Sequence, residues 1–88
     1  MNRIYIIGSM SQIAEIEAVA NRLRKEKNDV RVPQPITTCL KESVDECLDN
    51  IQWCDQVLVI RKLDGTIGES VTHEICFAEY LHKEIIFD

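Results

Sequence analysis

Only 3 glycines and 2 prolines punctuate the 88 residues, and aromatic side chains make up 6% of them. No Gly-x-Gly-x-x-Gly follows the first strand-like run and no Gly-x-x-x-x-Gly-Lys-Ser/Thr occurs anywhere, so neither dinucleotide nor P-loop nucleotide binding has motif support. Positive charge is short as well. Ten basic side chains stand against fifteen acidic ones, a net charge of −5 with a pI near 4.9. That is the wrong sign for a protein that gains affinity by releasing counterions from phosphate backbones, and nucleic-acid binding is disfavoured. No apolar run approaches the ~20 residues that span a bilayer. Met1-Asn2-Arg3-Ile4-Tyr5 lead straight into a strand-like pattern without a cleavable signal, so a soluble cytoplasmic protein is expected. Cys39, Cys47, Cys54 and Cys76 form no Cys-x-x-Cys pair, which favours reduced, buried thiols acting as small hydrophobes over a disulfide framework. Cys76 follows His73 by three residues, but without a second ligand pair of standard spacing no metal is expected there.

What is present is a regular alternation. Arg3-Ile4-Tyr5-Ile6-Ile7 is a continuous apolar, β-branched run ending at Gly8, as suits a strand buried on both faces. Ser9-Met10-Ser11-Gln12 offers a capping box with Ser9 as N-cap and Gln12 at N3, followed by apolar residues Ile13, Ile16, Ala20 and Leu23 on a helix to about Lys27. Asn28-Asp29 turns the chain, Val30-Arg31-Val32 makes a short strand, and Pro33-Gln34-Pro35 ends it in a loop to about Thr38. From Cys39 to Gln52 apolar positions Leu40, Val44, Cys47, Leu48 and Ile51 recur at helical spacing, with Glu42, Asp45, Glu46 and Asp49 on the remaining arc. Val57-Leu58-Val59-Ile60 is a third strand, and Arg61 to Glu69 is a polar loop holding Gly65 and Gly68. Ser70 is placed as the N-cap of a third helix with Val71, Ile75, Ala78 and Leu81 as its stripe, and Glu84-Ile85-Ile86-Phe87 closes a fourth strand.

Strands alternating with helices predict an α/β fold, a flavodoxin-like three-layer sandwich with a four-stranded parallel sheet in order 2-1-3-4. That order puts the first helix on one face and the other two on the opposite face. With no further helix before Asp88, the face under the first helix is undercovered near the last two strands, and a homo-oligomer, a two-fold homodimer in the first instance, is expected.

Ligands of open parallel sheets bind beyond the carboxyl ends of the strands where strand order reverses, here between the Gly8 loop and the Arg61–Glu69 loop. Gly8 allows close backbone approach, and Ser9 and Ser70 bring hydroxyls beside helix amino termini, a setting for a phosphate or sugar oxygen. The carboxylates assigned to this cleft are Asp55, Asp64, Glu69 and Glu74. Glu74, four residues past Ser70, should have its ionised form favoured by the helix dipole and could act as a nucleophile toward a sugar carbon. The competing reading is that acidic residues populate first turns simply because they stabilise the dipole, and that Asp55 only bonds neighbouring amides. Tyr5 is more often core than catalyst, and His73 and His82 fall off the apolar stripe as surface residues.

Three patches resemble the nucleoside 2-deoxyribosyltransferase family and the related deoxynucleoside 5′-monophosphate N-glycosidases. They are Ile4-Tyr5-Ile6-Ile7-Gly8-Ser9, Ile51 through Ile60 with Trp53-Cys54-Asp55 inside it, and Leu63-Asp64-Gly65 leading to Glu74-Ile75-Cys76-Phe77-Ala78. The resemblance covers residues 1–88 as one domain of that type. It implies cleavage or transfer at the N-glycosidic bond of a deoxynucleoside or deoxynucleotide, oligomeric assembly, and no metal or organic cofactor. By the same resemblance Glu74 is the nucleophile, Tyr5 orients it, and Gly8, Ser9, Asp55, Asp64, Gly68 and Ser70 line the substrate. Two positions depart from the family pattern. An aspartate usual eight residues before Asp55, where it handles the leaving base, is replaced by Cys47, and the small-residue turn before the nucleophile reads Gly68-Glu69-Ser70-Val71. Glu69 adds negative charge near a phosphate, which favours a nucleoside over a nucleotide. Two other readings stay open: a non-catalytic module binding a nucleotide-derived ligand, and a structural dimer that docks another protein.

Overall fold

The computed structural model describes residues 2–33 and 40–87. The loop expected up to Thr38 and the helix start expected at Cys39 lie outside the described residues. The elements are β1 (Arg3–Gly8), α1 (Ile13–Lys25), β2 (Asp29–Arg31), α2 (Leu40–Trp53), β3 (Gln56–Ile60), α3 (Glu69–Tyr80) and β4 (Glu84–Phe87), with a 3-10 turn at Met10–Gln12 before α1. The four strands form one parallel sheet in the order β2-β1-β3-β4, as the alternation of apolar runs and helical stripes predicts.

The two inner strands carry the longest apolar runs because they are covered from both sides. Ile4–Ile7 of β1 and Val57–Ile60 of β3 are buried throughout, and their register sets Tyr5 beside Val57, Ile6 beside Leu58 and Ile7 beside Val59. Alternation along the strands then divides the core in two. Tyr5, Ile7, Val57 and Val59 face α2 and α3, where they pack with Ile51, Cys54, Val71 and Ala78. Ile4, Ile6, Leu58 and Ile60 face α1 and meet Ile16, Val19 and Ala20. Coverage of the α1 face weakens toward the β4 edge, where Ile86, paired with Leu58, is 40% exposed. No described helix is long and apolar enough to cross a membrane.

Local details differ from the sequence reading at the helix ends. The capping box before α1 does not form. Ser9 Oγ accepts the Ser11 amide at 3.3 Å, Gln12 N bonds the Ser9 carbonyl at 2.9 Å, and the Gln12 side chain turns forward to Glu15 instead of back. A 3-10 turn therefore takes up the orphan amides that a capping box would satisfy. α3 begins at Glu69 with Gly68 as its N-cap, so Ser70 stands one residue inside the helix and is not the cap. β2 is shifted to Asp29–Arg31, one residue ahead of the expected Val30-Arg31-Val32. α1 and α3 both end by passing through a left-handed residue, Lys27 at φ 69° and His82 at φ 58°. Backbone bonds from Asn28 N to the Leu23 carbonyl and from Lys83 N to the Ala78 carbonyl close those turns.

Gly8 ends β1 against Ile60, and its position is sterically closed. A Cβ there would lie 3.2 Å from Ile16 Cδ1, from Ile60 Cβ and from the Ile60 carbonyl oxygen. The sheet ladder holds that oxygen in place, so the contact cannot relax by a side-chain rotation. Gly8→Ala is expected to cost about 1–3 kcal/mol, the range for overpacking a dense core, read as a fall in the thermal midpoint. Gly65→Ala, at φ +83° with open space around it, should cost only the left-handed backbone penalty of about 1–2 kcal/mol and leave the core packing unaltered.

Candidate functional site

Parallel pairing of β1 with β3 brings Gly8 opposite Ile60, so the segments that follow both strands leave the sheet side by side at its carboxyl edge. The β1 segment holds Ser9, whose Oγ lies 2.8 Å from Ser11 Oγ. The β3 segment holds Asp64, whose Oδ1 accepts both the Thr66 amide at 2.9 Å and the Thr66 hydroxyl at 2.6 Å. Those two donors hold its carboxyl below the usual aspartate range and turn it into the brace of a tight loop. Gly68 follows as the N-cap of α3, and the Lys62 ammonium lies close by, 3.9 Å from where a Gly68 Cβ would be. Lys62 has no motif in the sequence to mark it, and it sets a positive charge beside Gly68 at the helix start.

Asp55 is elsewhere, which corrects its assignment to the cleft. It precedes β3, at the amino end of the sheet, and binds Arg3 at the amino end of β1: Arg3 N donates to Oδ2 at 3.1 Å, Arg3 Nη2 to Oδ1 at 3.3 Å, and Asp55 N to the Arg3 carbonyl at 2.7 Å. These bonds hold its carboxyl below the usual aspartate range and clip the two central strands in register. A residue before a parallel strand and a residue after its neighbour lie at opposite ends of the sheet, so Asp55 cannot share a ligand with Gly8 and Ser9.

Tyr5, Cys47 and Glu74 do come together, from three different elements. Tyr5 is fully buried on β1 with its ring on the α2 and α3 side. Its hydroxyl donates to Cys47 Sγ of α2 at 3.6 Å, and Cys47 and Glu74 of α3 are near enough to influence each other's titration. Burial pushes the Tyr5 hydroxyl far above its usual range, with the neighbouring Cys47 and Glu74 adding to the effect, so it stays protonated and donates. Burial also pushes the Cys47 thiol up, with Glu74 adding to the rise and the Tyr5 hydrogen bond opposing it. Glu74 itself is half-buried. Desolvation raises its carboxyl above the usual glutamate range, and the Cys47 hydrogen bond works against that rise. This corrects the expected direction. With Gly68 as the cap, Glu74 is the sixth residue of α3 and lies past the first turn, where the helix dipole has faded. Burial decides its protonation instead.

The cysteines follow their elements. Cys54 is buried, its thiol 3.2 Å from the Ile51 carbonyl, and Cys47 is half-buried. Cys76 is exposed on α3, against the expectation of a buried thiol. His73 and His82 are exposed. No group of three metal-ligating side chains occurs among the described residues. Asn50, three residues after Cys47 and only 9% exposed, went unnoticed in the sequence because it sits within an apolar stripe. Its Oδ1 accepts Arg31 Nη1 at 3.0 Å.

No protein-family model matches the chain, and no curated protein matches it. Among solved structures its fold is similar to that of the CMP N-glycosidase BcmB of Clostridium botulinum, with a TM-score of 0.76 at 18% sequence identity. The match covers 97% of this chain and 69% of that one. The likeness at this identity is one of fold, a parallel sheet in the order 2-1-3-4 flanked by helices.

The raised carboxyl of Glu74 fixes the sign of its effect on stability. A group that holds its proton more tightly folded than unfolded adds stability at low pH and loses it as pH rises through its folded value. Glu74→Gln should therefore raise the thermal midpoint at pH 7 to 8, and the gain should vanish below the ordinary glutamate range, where wild type is protonated in both states. Thermal scans at pH 3.5 and 7.5 make the comparison, and an equal effect at both pH values would contradict the burial account.

Proposed function

We propose that this protein cleaves or transfers at the N-glycosidic bond of a nucleoside or nucleoside 5′-monophosphate, as a relative of the nucleoside 2-deoxyribosyltransferases with Glu74 as nucleophile. In that reaction a Glu74 carboxylate oxygen attacks the anomeric carbon, and the carbon–nitrogen bond breaks with its electron pair going to the base, which takes up a proton. Water, or the nitrogen of a second base, then attacks the same carbon and frees Glu74. The first acceptor makes the protein a hydrolase, the second a transferase.

The observation that carries the reading is the half-buried Glu74 carboxylate beside the hydrogen-bonded Tyr5–Cys47 pair. Desolvation leaves the carboxylate more basic than in water. Gly8 and Ser9 on one segment and Gly68 on the other would line the pentose, Ser70 would contribute from the first turn of α3, and Asp64 would shape the loop. The Lys62 ammonium beside Gly68 would offer a 5′-phosphate a positive charge. The similarity in fold to a CMP N-glycosidase points the same way.

One observation favours a second reading. The thiol at position 47 is bonded by the Tyr5 hydroxyl and pushed up by burial, so it is a poor acid toward a leaving base, as suits a module that binds a nucleotide-derived ligand without turnover.

A single experiment separates the two. The protein is incubated with CMP, dCMP and the matching nucleosides, with and without a different free base, and released or exchanged base is resolved by chromatography. The enzymatic reading expects base release or exchange that falls by roughly 10³-fold or more in Glu74→Gln, as for loss of a nucleophile. Absence of turnover together with a rise in thermal midpoint on adding nucleotide, worth about 2.7 kcal/mol at a hundredfold the dissociation constant, would support the binding module and sink the enzyme.

A further inference from the structure

A cavity of about 390 Å³ opens at the β2 edge of the sheet, bordered by Arg24 near the end of α1, by Val30, Arg31 and Val32, and by Glu46 and Asn50 of α2. That volume falls within the roughly 300–1,000 Å³ of small-molecule sites. Both guanidiniums are held by neutral oxygens: Arg24 Nη2 donates to the Val30 carbonyl at 3.1 Å, and Arg31 Nη1 to Asn50 Oδ1 at 3.0 Å. Asn50 is itself buried, and the Trp53 ring covers the Arg31 guanidinium at 4.0 Å from the ring centroid. A guanidinium carries several N–H donors in a planar fork, so one bond to a neutral oxygen orients the fork without neutralising it. Among the described residues no carboxylate comes within ion-pair distance of Arg24 or Arg31, although acidic side chains outnumber basic ones by fifteen to ten. Arg24 stands in the last turn of α1, where a cation complements the helix dipole. The dipole accounts for a charge at that helix end, but not for a second guanidinium stacked, oriented and lining the same cavity.

We propose that this cavity binds the phosphate monoester of a sugar, at a site separate from Glu74. The two guanidinium forks take the phosphate oxygens through charge-assisted bonds. Val30, Asn50 and Trp53 set the forks before a ligand arrives, which lowers the ordering cost of binding. Glu46 borders the same cavity, and an ionised carboxylate only accepts hydrogen bonds. It therefore repels a bare phosphate but takes a hydroxyl of the attached sugar. Two fixed cations beside one acceptor of negative charge favour a ligand with an anionic head and hydroxyl donors over an inorganic anion. Tyr5, Cys47 and Glu74 do not border the cavity, so the site does not depend on Glu74 being a nucleophile.

Trp53 is the only tryptophan, and its contact with Arg31 makes its emission a reporter of the cavity. The protein is titrated with glucose 6-phosphate, glucose and inorganic phosphate at constant ionic strength, followed by Trp53 fluorescence and by the NMR signals of the Arg24 and Arg31 side-chain N–H groups. Glucose 6-phosphate is expected to move all of these signals and to bind about tenfold or more tightly than inorganic phosphate, the margin of one hydrogen bond to a charged group. Glucose alone should move none. Arg24 is exposed, so Arg24→Gln tests the site without disturbing the core, and it should weaken glucose 6-phosphate by about tenfold or more. Arg24→Lys should recover only part of that loss, because an ammonium restores the charge without the fork. Glu46→Ala should narrow the gap between the sugar phosphate and inorganic phosphate, the first losing an acceptor and the second a repulsion. Equal affinity of those two in the wild type would mean an adventitious ion only and overturn the proposal. So would signals that move at Lys62 and Gly68 rather than at Arg24 and Arg31, full affinity in Arg24→Gln, or no binding at millimolar concentration.

Discussion

A carboxylate taken partly out of water must find donors or a proton, and most of what distinguishes this fold follows from how Glu74 meets that demand. Its neighbour is the Cys47 thiol, a weak donor that is itself half-buried. Cys47 can serve only because Tyr5 supplies its sulfur with a hydrogen bond from behind, and Tyr5 can do so only because its ring is locked in the core between α2, α3 and the sheet. The site is thus a consequence of core packing. Moving any of the three elements by an ångström would separate groups whose interactions fall off steeply with distance.

The sheet supplies the rigidity. β1 and β3 are buried on both faces and clipped at their amino ends by the Arg3–Asp55 bonds, so Tyr5 and the segments beyond Gly8 and Ile60 are held relative to one another. Crowding at Gly8 serves the same end, because the close approach of Ile16 and Ile60 draws α1 against the strand where the chain leaves the sheet. What could contact a ligand is then carried on short loops: a serine turn at residues 9–12 on one side, and on the other an Asp64–Thr66 brace followed by the Gly68 cap.

Much of this architecture is written in the sequence in a form that simple physics reads. Two unbroken apolar runs rich in β-branched residues, Ile4–Ile7 and Val57–Ile60, suit inner strands of a parallel sheet, and the helical stripes between them give the alternation from which the strand order follows. The helix starts were less legible. Ser9 and Ser70 both look like caps, yet a 3-10 turn absorbs the first and Gly68 replaces the second, because short polar residues compete for the same amides within a few tenths of a kcal/mol. Two residues of displacement at that cap put Glu74 beyond the first turn, where the helix dipole has faded, and burial sets the direction of its titration instead. Asp55 was misplaced for a different reason: its type suggested a site, whereas its position before a parallel strand puts it at the far end of the sheet. Asn50 was hidden because a lone amide in an apolar stripe has no pattern of its own, and its partner Arg31 is brought to it only by the folded chain.

The central claim is that Glu74 reacts with a pentose, and a covalent trap tests it most directly. A nucleotide carrying fluorine at the sugar 2-position slows both formation and breakdown of a glycosyl-enzyme and lets the adduct accumulate when the leaving base is good. Intact-protein and peptide mass spectrometry after incubation should find one pentose or pentose phosphate on the peptide that contains Glu74, and none on Glu74→Gln. An adduct on another residue, or base release by wild type with equal adduct formation in Glu74→Gln, would contradict the account.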